Sequence, residues 1–524
     1  MTLTSSTPGP IPILSPRRVR AVLFVVALSL MAVVSAVAGL NVALPSMARE
    51  TGATQTELTW IVDAYTVVFA GLLLIAGALG DRFGRRRLLL LGLVIFAAAA
   101  ALGLVTTQPG QLILVRMLMG VGAAAIMPTT LSVITTSFPE AERPRAIGVW
   151  VGVAGGGAVL GLFATGLLLQ WFPWTSFFAL NVTLASLAFV GVLLVVPESG
   201  DPAHRLDVVG GALSLVAVAA LVFGIIEGPD RGWDDPLSWG TLLAGVLALV
   251  AFMGWELRQE TPLLDPRLFR LRGFSAGSLT ILVQFLSSFG FFFITLQYLQ
   301  YVTGRSPLDA AIALLPLPIV LLPVARRAPV VAQRVGFWRL GPLGLVTMAG
   351  GFLVLSRLDV DTPYWFFALG LVLFGLGMGL AGTPATTAIT ASLPMHKQGV
   401  ASAVNDTARE LGSAVGIAIL GSILNQTYRA GMADAVAGLP PQAAEKVLGS
   451  IAFTSAPQVA QMGEKGRQLV DAAQHAFVAG VGASVFAAAA ILLVAAAVVA
   501  VLAPRGTVAA QAQSASATVT AGDG

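Results

Sequence analysis

Residues Trp60 to Arg87 read WIVDAYTVVFAGLLLIAGALGDRFGRRR, and this stretch decides what kind of protein the chain builds. From Trp60 to Gly80 it is apolar, with Asp63 its one charged residue, and then it turns abruptly into a cluster of charges. A helix rises about 1.5 Å per residue and needs about 20 residues to cross a hydrocarbon core of about 30 Å. The stretch is therefore one bilayer crossing that ends in a basic loop at the membrane face. Gly77, Gly80 and Gly84 suit a tight turn there, because glycine accepts backbone angles closed to other residues. Asp81 can accept bonds from Arg82 and Arg85. Asp63 lies 18 residues before Asp81, which puts it about 27 Å away, near the opposite mouth.

The rest of the chain has the same character. Of 524 residues, 56% are apolar and 11% charged, and mean hydropathy is +0.86. Soluble domains carry about 25% charged residues, so lipid is this chain's main solvent. With no cysteine, thiolate metal sites, iron–sulfur clusters and cysteine nucleophiles are excluded. His204, His396 and His475 are widely separated, and we expect no metal site and no cofactor. The lysines Lys397, Lys446 and Lys465 follow His, Glu and Glu, so there is no Walker A motif and ATP is not the expected energy source. No segment suits hydrolysis or nucleic-acid binding.

Apolar stretches of crossing length predict fourteen spans, at 21–44, 58–79, 88–106, 112–134, 146–169, 176–196, 209–226, 239–256, 274–300, 308–325, 340–356, 364–384, 399–424 and 473–502. With the N-terminus placed in the cytoplasm, twenty basic residues fall on the inner side and eight on the outer, which agrees with the positive-inside rule. Both termini are then cytoplasmic and the chain is a multi-pass protein of the cell membrane. An R-x-G-x-x-R frame at Arg82, Gly84 and Arg87 returns eight spans later at Arg334, Gly336 and Arg339. Gly157-x-x-x-Gly161 in span 5 likewise returns as Gly412-x-x-x-Gly416 in span 13. Such small faces let helices approach closely, and internal repeats are a transporter trait. The expected organisation is an N-terminal arm (1–20), a six-helix bundle (21–200), two inserted helices (201–273) and a second six-helix bundle (274–502). That second bundle includes an outer loop at 428–472, and an Ala/Ser/Thr/Gly-rich disordered tail follows (503–524).

Trp60 to Arg87 resembles helix 2 and the following loop signature of the major facilitator superfamily, in its fourteen-helix drug:proton antiporter branch. Asn41–Pro45 (NVALP), Arg205–Leu213 (RLDVVGGAL), Ile226–Pro229 (IEGP), Pro262–Phe269 (PLLDPRLF) and Tyr298–Pro316 carry the resemblance along the chain. Gly399–Ser422, GVASAVNDTARELGSAVGIAILGS, is similar to helix 13 of the multidrug exporters. The resemblance implies a fold of two six-helix bundles plus two inserted helices, and export of amphiphilic, mostly cationic drugs or natural products in exchange for protons by alternating access. It also has departures. Ser35 and Val37 stand where the family commonly has aspartate and threonine, Met119 replaces a glutamine, Leu162 a proline, and Thr175 an arginine. These leave open an uncoupled facilitator or importer of a small organic solute and, more remotely, a sensor or scaffold that transports nothing.

Charged side chains inside a bilayer cost several kcal/mol and usually face a cavity or a partner. Asp63, Arg116, Asp406, Arg409 and Glu410 lie well inside the spans. Asp406 and Glu410 are four residues apart, about 40° around a helix, with Arg409 beside them. One carboxylate then alternately binds a proton and a lipophilic cation; the competing reading is a structural ion pair with Arg409. Asp63 is either a vestibule carboxylate or a hydrogen-bonding residue near the start of its helix. Arg116 belongs to the family pattern associated with proton transfer and, being always protonated, either tunes a neighbouring carboxylate or ties to backbone. Gly77 to Arg85, with Arg334, Gly336 and Arg339 as weaker counterparts, is expected to act as a conformational latch. Gln284, Gln297 and Phe291, with its neighbours Phe289, Phe292 and Phe293, are cavity candidates, the aromatics by stacking on cations or simply by packing.

Overall fold

A computed structural model describes residues 16–138, 143–199, 207–260, 262–393, 398–456, 459 and 461–505. The arm before residue 16, the tail beyond 505, His204, His396 and Lys397 lie outside the described residues. The described residues form helices joined by turns, with no strand among them. We number the helices α1 (Pro16–Thr51), α2 (Gln55–Phe83), α3 (Arg85–Gly103), α4 (Pro109–Ser137), α5 (Arg143–Leu168), α6 (Ser176–Val195), α7 (Val208–Arg231) and α8 (Pro236–Glu256). Then come α9 (Arg272–Tyr301), α10 (Pro307–Ala313), α11 (Pro316–Val335), α12 (Phe337–Leu355), α13 (Tyr364–Ala391), α14 (Gln398–Val436), α15 (Pro441–Gly449) and α16 (Glu464–Leu502).

Counting α10 and α11 as one crossing, 13 described helices are long and apolar enough to span a bilayer. With α5, apolar over Gly156–Leu168, they match the expected fourteen. Their ends are built by local chemistry. Thr54 and Glu57 form a capping box at α2, Asp207 accepts from Gly210 N at 2.8 Å at α7, and Asp235 accepts from Leu237 N at 2.9 Å at α8. Some bounds differ from expectation. Span 10 continues through α11 to Val335, so Arg326 and Arg327, expected in a loop, are helical and exposed. The outer loop is partly ordered, since α14 continues to Val436 and α15 and a turn of 3-10 helix (Ile451–Ser455) follow.

Packing repeats with the sequence. In the first bundle α1 packs on α4, α5 and α6, α4 on α2 and α3, and α3 on α6. In the second, α9 packs on α13, α14 and α16, α13 on α11 and α12, and α12 on α16, which is the same set of pairs. The small faces act at equivalent places. A Cβ at Gly161 would meet Ser35 Cα at 2.7 Å, and one at Gly290 would meet the Gly416 carbonyl oxygen at 2.6 Å. A Cβ at Gly412 or Gly416 would run into the carbonyl oxygens of Leu282 and Leu286. Gly157 has only ordinary contacts, Met31 Sδ at 3.5 Å and Val34 Cβ at 3.7 Å.

The repeated loops also share one backbone form. Gly84 (φ +113°, ψ 125°) and Gly336 (φ +84°, ψ 147°) each end one helix and begin the next, and each donates its N–H back four residues. Positive φ explains why the frame keeps glycine. Helices α7 and α8 pair with each other, and α7 lies against α2 of the first bundle and α14 of the second.

We call the face where α1 starts and α16 finishes the terminal face, and its opposite the far face. Bonds that join the bundles gather at the far face: Gln300 Nε2 to the Val42 carbonyl (3.0 Å), Tyr301 OH to the Pro45 carbonyl (3.2 Å) and Gln170 to Ser306 (3.3 Å). There α10 also packs on α5. Toward the terminal face Gly152 and Gly156 of α5 are exposed. The far side is closed by contact.

Candidate functional site

The charged residues of α14 stand on its face toward the first bundle and α9. Arg409 Nη1 lies 3.6 Å from Asp406 Oδ1, and both side chains are partly exposed, 23% and 14%. The guanidinium also lies 4.8 Å from the centre of the Phe285 ring of α9, a cation–π distance. Phe285 stacks in turn on Phe289, centroids 5.8 Å apart. Asn405 accepts from Thr386 of α13 at 3.1 Å. Glu410, half-buried, has no hydrogen bond or ion pair among the described residues, although Arg409 and Asp406 are in electrostatic range. The trio therefore holds two carboxylates for one cation.

Tyr65 of α2 is within electrostatic range of both Glu410 and Arg116. Arg116 is fully buried on α4, with its guanidinium 4.3 Å from the Tyr65 ring centre and Nε donating to the Ile61 carbonyl at 3.0 Å. Its Nη1 and Nη2 have no partner. It thus ties to backbone and an aromatic face, with no ion pair to a carboxylate among the described residues. Tyr65 OH donates to the Val33 carbonyl at 3.2 Å, so three helices of the first bundle meet here.

Asp63 is also fully buried, and its Oδ1 accepts from Thr66 Oγ1 at 2.8 Å while Oδ2 has no partner. Of the two readings for Asp63, this placement has the bond of the hydrogen-bonding one: with the far side closed, α2 is packed here against α7 and α14, and Val67, one turn on, meets Ala414 and Ala418.

Of the cavity candidates, Gln284 is buried with Oε1 unpartnered, and its amide approaches Gly382 of α13. Gln297 donates to its own helix at Phe293 O (3.1 Å). Phe291 is 1% exposed and packs on Phe374 (5.2 Å) and Phe352 (5.4 Å) inside the second bundle. The packing reading therefore holds for Phe291, because three rings at that contact leave no face free. Phe285, which was not singled out from the sequence, is the aromatic beside the charges; its one clue is that it precedes Phe289 by four residues on one helical face.

The loop residues act within the first bundle. Asp81 pairs with Arg85 at 2.7 Å. Glu198, just past α6, accepts from Arg86 N at 3.1 Å and lies 3.6 Å from Arg87 Nε, and the Ser199 carbonyl accepts from Arg85 N at 2.8 Å. A Cβ at Gly80 would come 2.9 Å from Thr129 of α4, whereas Gly77 meets only Pro128 at 3.7 Å. Arg82 lies over Phe83 (5.4 Å) and Arg339 over Trp338 (4.4 Å), while Arg334 is exposed. Glu198 is the anchor that sequence reading missed, since nothing in its spacing connects it with residue 86.

Cavities of about 770 and 660 Å³ lie under the far-face segment that includes α15, and one of about 280 Å³ opens at the terminal face beside Arg272, Gln333 and Ser392. None of these three is lined by the charged trio.

Comparison with known proteins agrees with this architecture. The sequence profile of the Major Facilitator Superfamily matches residues 23–417. The chain is 37% identical to the puromycin resistance protein pur8 of Streptomyces alboniger, over 80% of this chain and 84% of that protein. It is 34% identical to the multidrug efflux pump LfrA of Mycolicibacterium smegmatis, over 93% and 97%. It is 32% identical to the tetracenomycin C resistance and export protein of Streptomyces glaucescens, over 86% of each. Among solved structures, a bacterial homologue of the human lysosomal transporter Spinster, in an inward-facing and unoccupied conformation, superposes with a TM-score of 0.63 at 16% identity, covering 94% of this chain and all of that one.

Proposed function

The chain belongs to the major facilitator superfamily, and we propose that it is a drug exporter that moves amphiphilic, cationic drugs or natural products out of the cell in exchange for protons. It is a multi-pass membrane transporter acting on small molecules, not an enzyme. The terminal face is taken as cytoplasmic on the distribution of basic residues, so the closed far side faces outward.

One observation carries the coupling: Glu410 has no ion pair of its own beside the Asp406–Arg409 pair. A carboxylate without a fixed counter-ion in a water-poor site is satisfied either by a proton or by a cationic substrate, and these exclude each other. Competition for one carboxylate couples the two fluxes. Phe285 and Phe289 give a flat cation an apolar face next to it. Relatives named for puromycin resistance, for tetracenomycin C resistance and export and for multidrug efflux support the substrate class.

The test is a purified protein in liposomes, an imposed pH gradient and a fluorescent lipophilic cation, with Glu410→Gln and Asp406→Asn alongside. Gradient-driven flux in the parent and its loss in Glu410→Gln is the expected result. Full gradient-dependent flux in Glu410→Gln would overturn the assignment. Flux that ignores the gradient in the parent would favour an uncoupled facilitator, the reading that Ser35 and Leu162 bring with them.

A further inference from the structure

The inserted helices hold a feature that the transport site does not use. Asp230 stands in the last turn of α7 at the far face, the negative pole of that helix, where a carboxylate is unfavourable unless donors surround it. Thr56 Oγ1 of α2 donates to its Oδ2 at 2.5 Å. From α14, Asn425 Nδ2 donates to Oδ1 at 3.0 Å and Arg429 Nη1 lies 3.2 Å from the same oxygen. Asn425 also donates to Thr56 Oγ1 at 3.1 Å, and Ser422 donates to the Ile225 carbonyl at 2.6 Å.

The two faces of α7 are not equivalent. Along α2 it is closely fitted: a Cβ at Gly211 would overlap Ile75, one at Gly71 would overlap Leu215, and Glu227 accepts from Trp60 Nε1 at 2.8 Å while pairing with Arg231 at 2.8 Å. Helix α7 therefore moves with the first bundle. Asp230 is where that unit grips the second. The other far-face bonds between bundles, from Gln300, Tyr301 and Gln170, join neutral groups. Charge-assisted bonds are about twice as strong as neutral ones, and a partly exposed carboxylate can exchange its partners for water.

We propose that Asp230 is a positioning residue of the transport cycle, the bolt by which the inserted pair holds the far side closed. Opening that side requires Asn425 and Arg429 to leave Asp230 while Thr56 stays with it. The balance between the two access states is then set from α7, away from the transported species. This rests on the alternating-access reading above, but its test uses neither drug nor pH gradient, so the two fail independently.

The chain has no cysteine, so a single introduced thiol reports without background. Ala418 is fully buried between α2, α7 and α14, about two turns deeper than Asn425. Ala418→Cys protein would be exposed to a membrane-impermeant maleimide added at the far face only. Asp230→Ala is expected to raise its labelling rate about tenfold, the effect of a shift of about 1.4 kcal/mol toward the far-open state. Glu227→Ala, which removes the acceptor of the Trp60 bond between α7 and α2, is expected to label at the parent rate. Labelling of a correctly folded Asp230→Ala protein at the parent rate would overturn the proposal, and so would an equal rise in Glu227→Ala. If Asp230→Ala does not fold, Thr56→Val and Asn425→Ala each remove one side of the bolt: faster labelling in both supports it, and parent rates in both overturn it.

Discussion

The guanidinium of Arg116 lies 4.3 Å from the centre of the Tyr65 ring, in a place from which solvent is wholly excluded. A desolvated cation–π contact is worth about 2 kcal/mol, and the two unpartnered guanidinium nitrogens make the ring the main compensation for the buried charge. Tyr65→Leu should therefore lower thermal stability in detergent by about 2 kcal/mol. Tyr65→Phe keeps the ring and loses one bond to the Val33 carbonyl, which costs about 1 kcal/mol. Equal losses in the two variants would show that the ring face contributes nothing.

Arg409 decides how much negative charge the site presents. It offsets one of two carboxylates, so Arg409→Gln should move preference from monocations toward dications. A change of about 1.4 kcal/mol in relative interaction would alter the ratio of their export rates about tenfold. Competition between a mono- and a dicationic dye in the same vesicles measures it, and an unchanged ratio refutes it.

Glu198 and Arg87 separate two contributions to the loop between α2 and α3. Their pair spans 3.6 Å with Arg87 79% exposed, and such pairs contribute about 0–1 kcal/mol. The bond from Arg86 N to the Glu198 carboxylate involves an ionised acceptor, a class worth about 1.5–3 kcal/mol. Glu198→Ala should be clearly less stable to heat, while Arg87→Ala should stay close to the parent. The reverse order would mean that the exposed pair dominates.

Gly157 and Gly416, one from each small face, should behave differently. Gly157→Ala meets only ordinary contacts and should express and elute as the parent does. Gly416→Ala drives a methyl group into the Leu286 backbone, forcing α9 and α14 apart where close approach is their main attraction. Loss of a monodisperse peak in size-exclusion chromatography is expected for Gly416→Ala alone.

Much of this architecture was legible along the chain, because a bilayer imposes one-dimensional rules. Segment length, apolar content and basic loops required the crossings, and Gly84 with Gly336 announced a shared turn through a backbone requirement that only glycine meets cheaply. The shared face of Asp406, Arg409 and Glu410 followed from helical spacing alone, since all three lie within about one turn. Periodicity shows that a residue is on a face but not what stands opposite. That is why stacking and packing stayed open for Phe291 while Phe285 was passed over, and why two readings of Asp63 stood side by side.

The chain's own order of residues thus suffices for the membrane-spanning helices, the repeat and the charged turn of α14, all properties of neighbours on one helix. Which arginine lies on an aromatic ring, which side is closed and how Asp230 reaches Asn425 and Arg429 depend on side chains brought together from separate segments. Contacts between separate segments of the chain leave no periodic mark in a single sequence, so only the packed bundles reveal them.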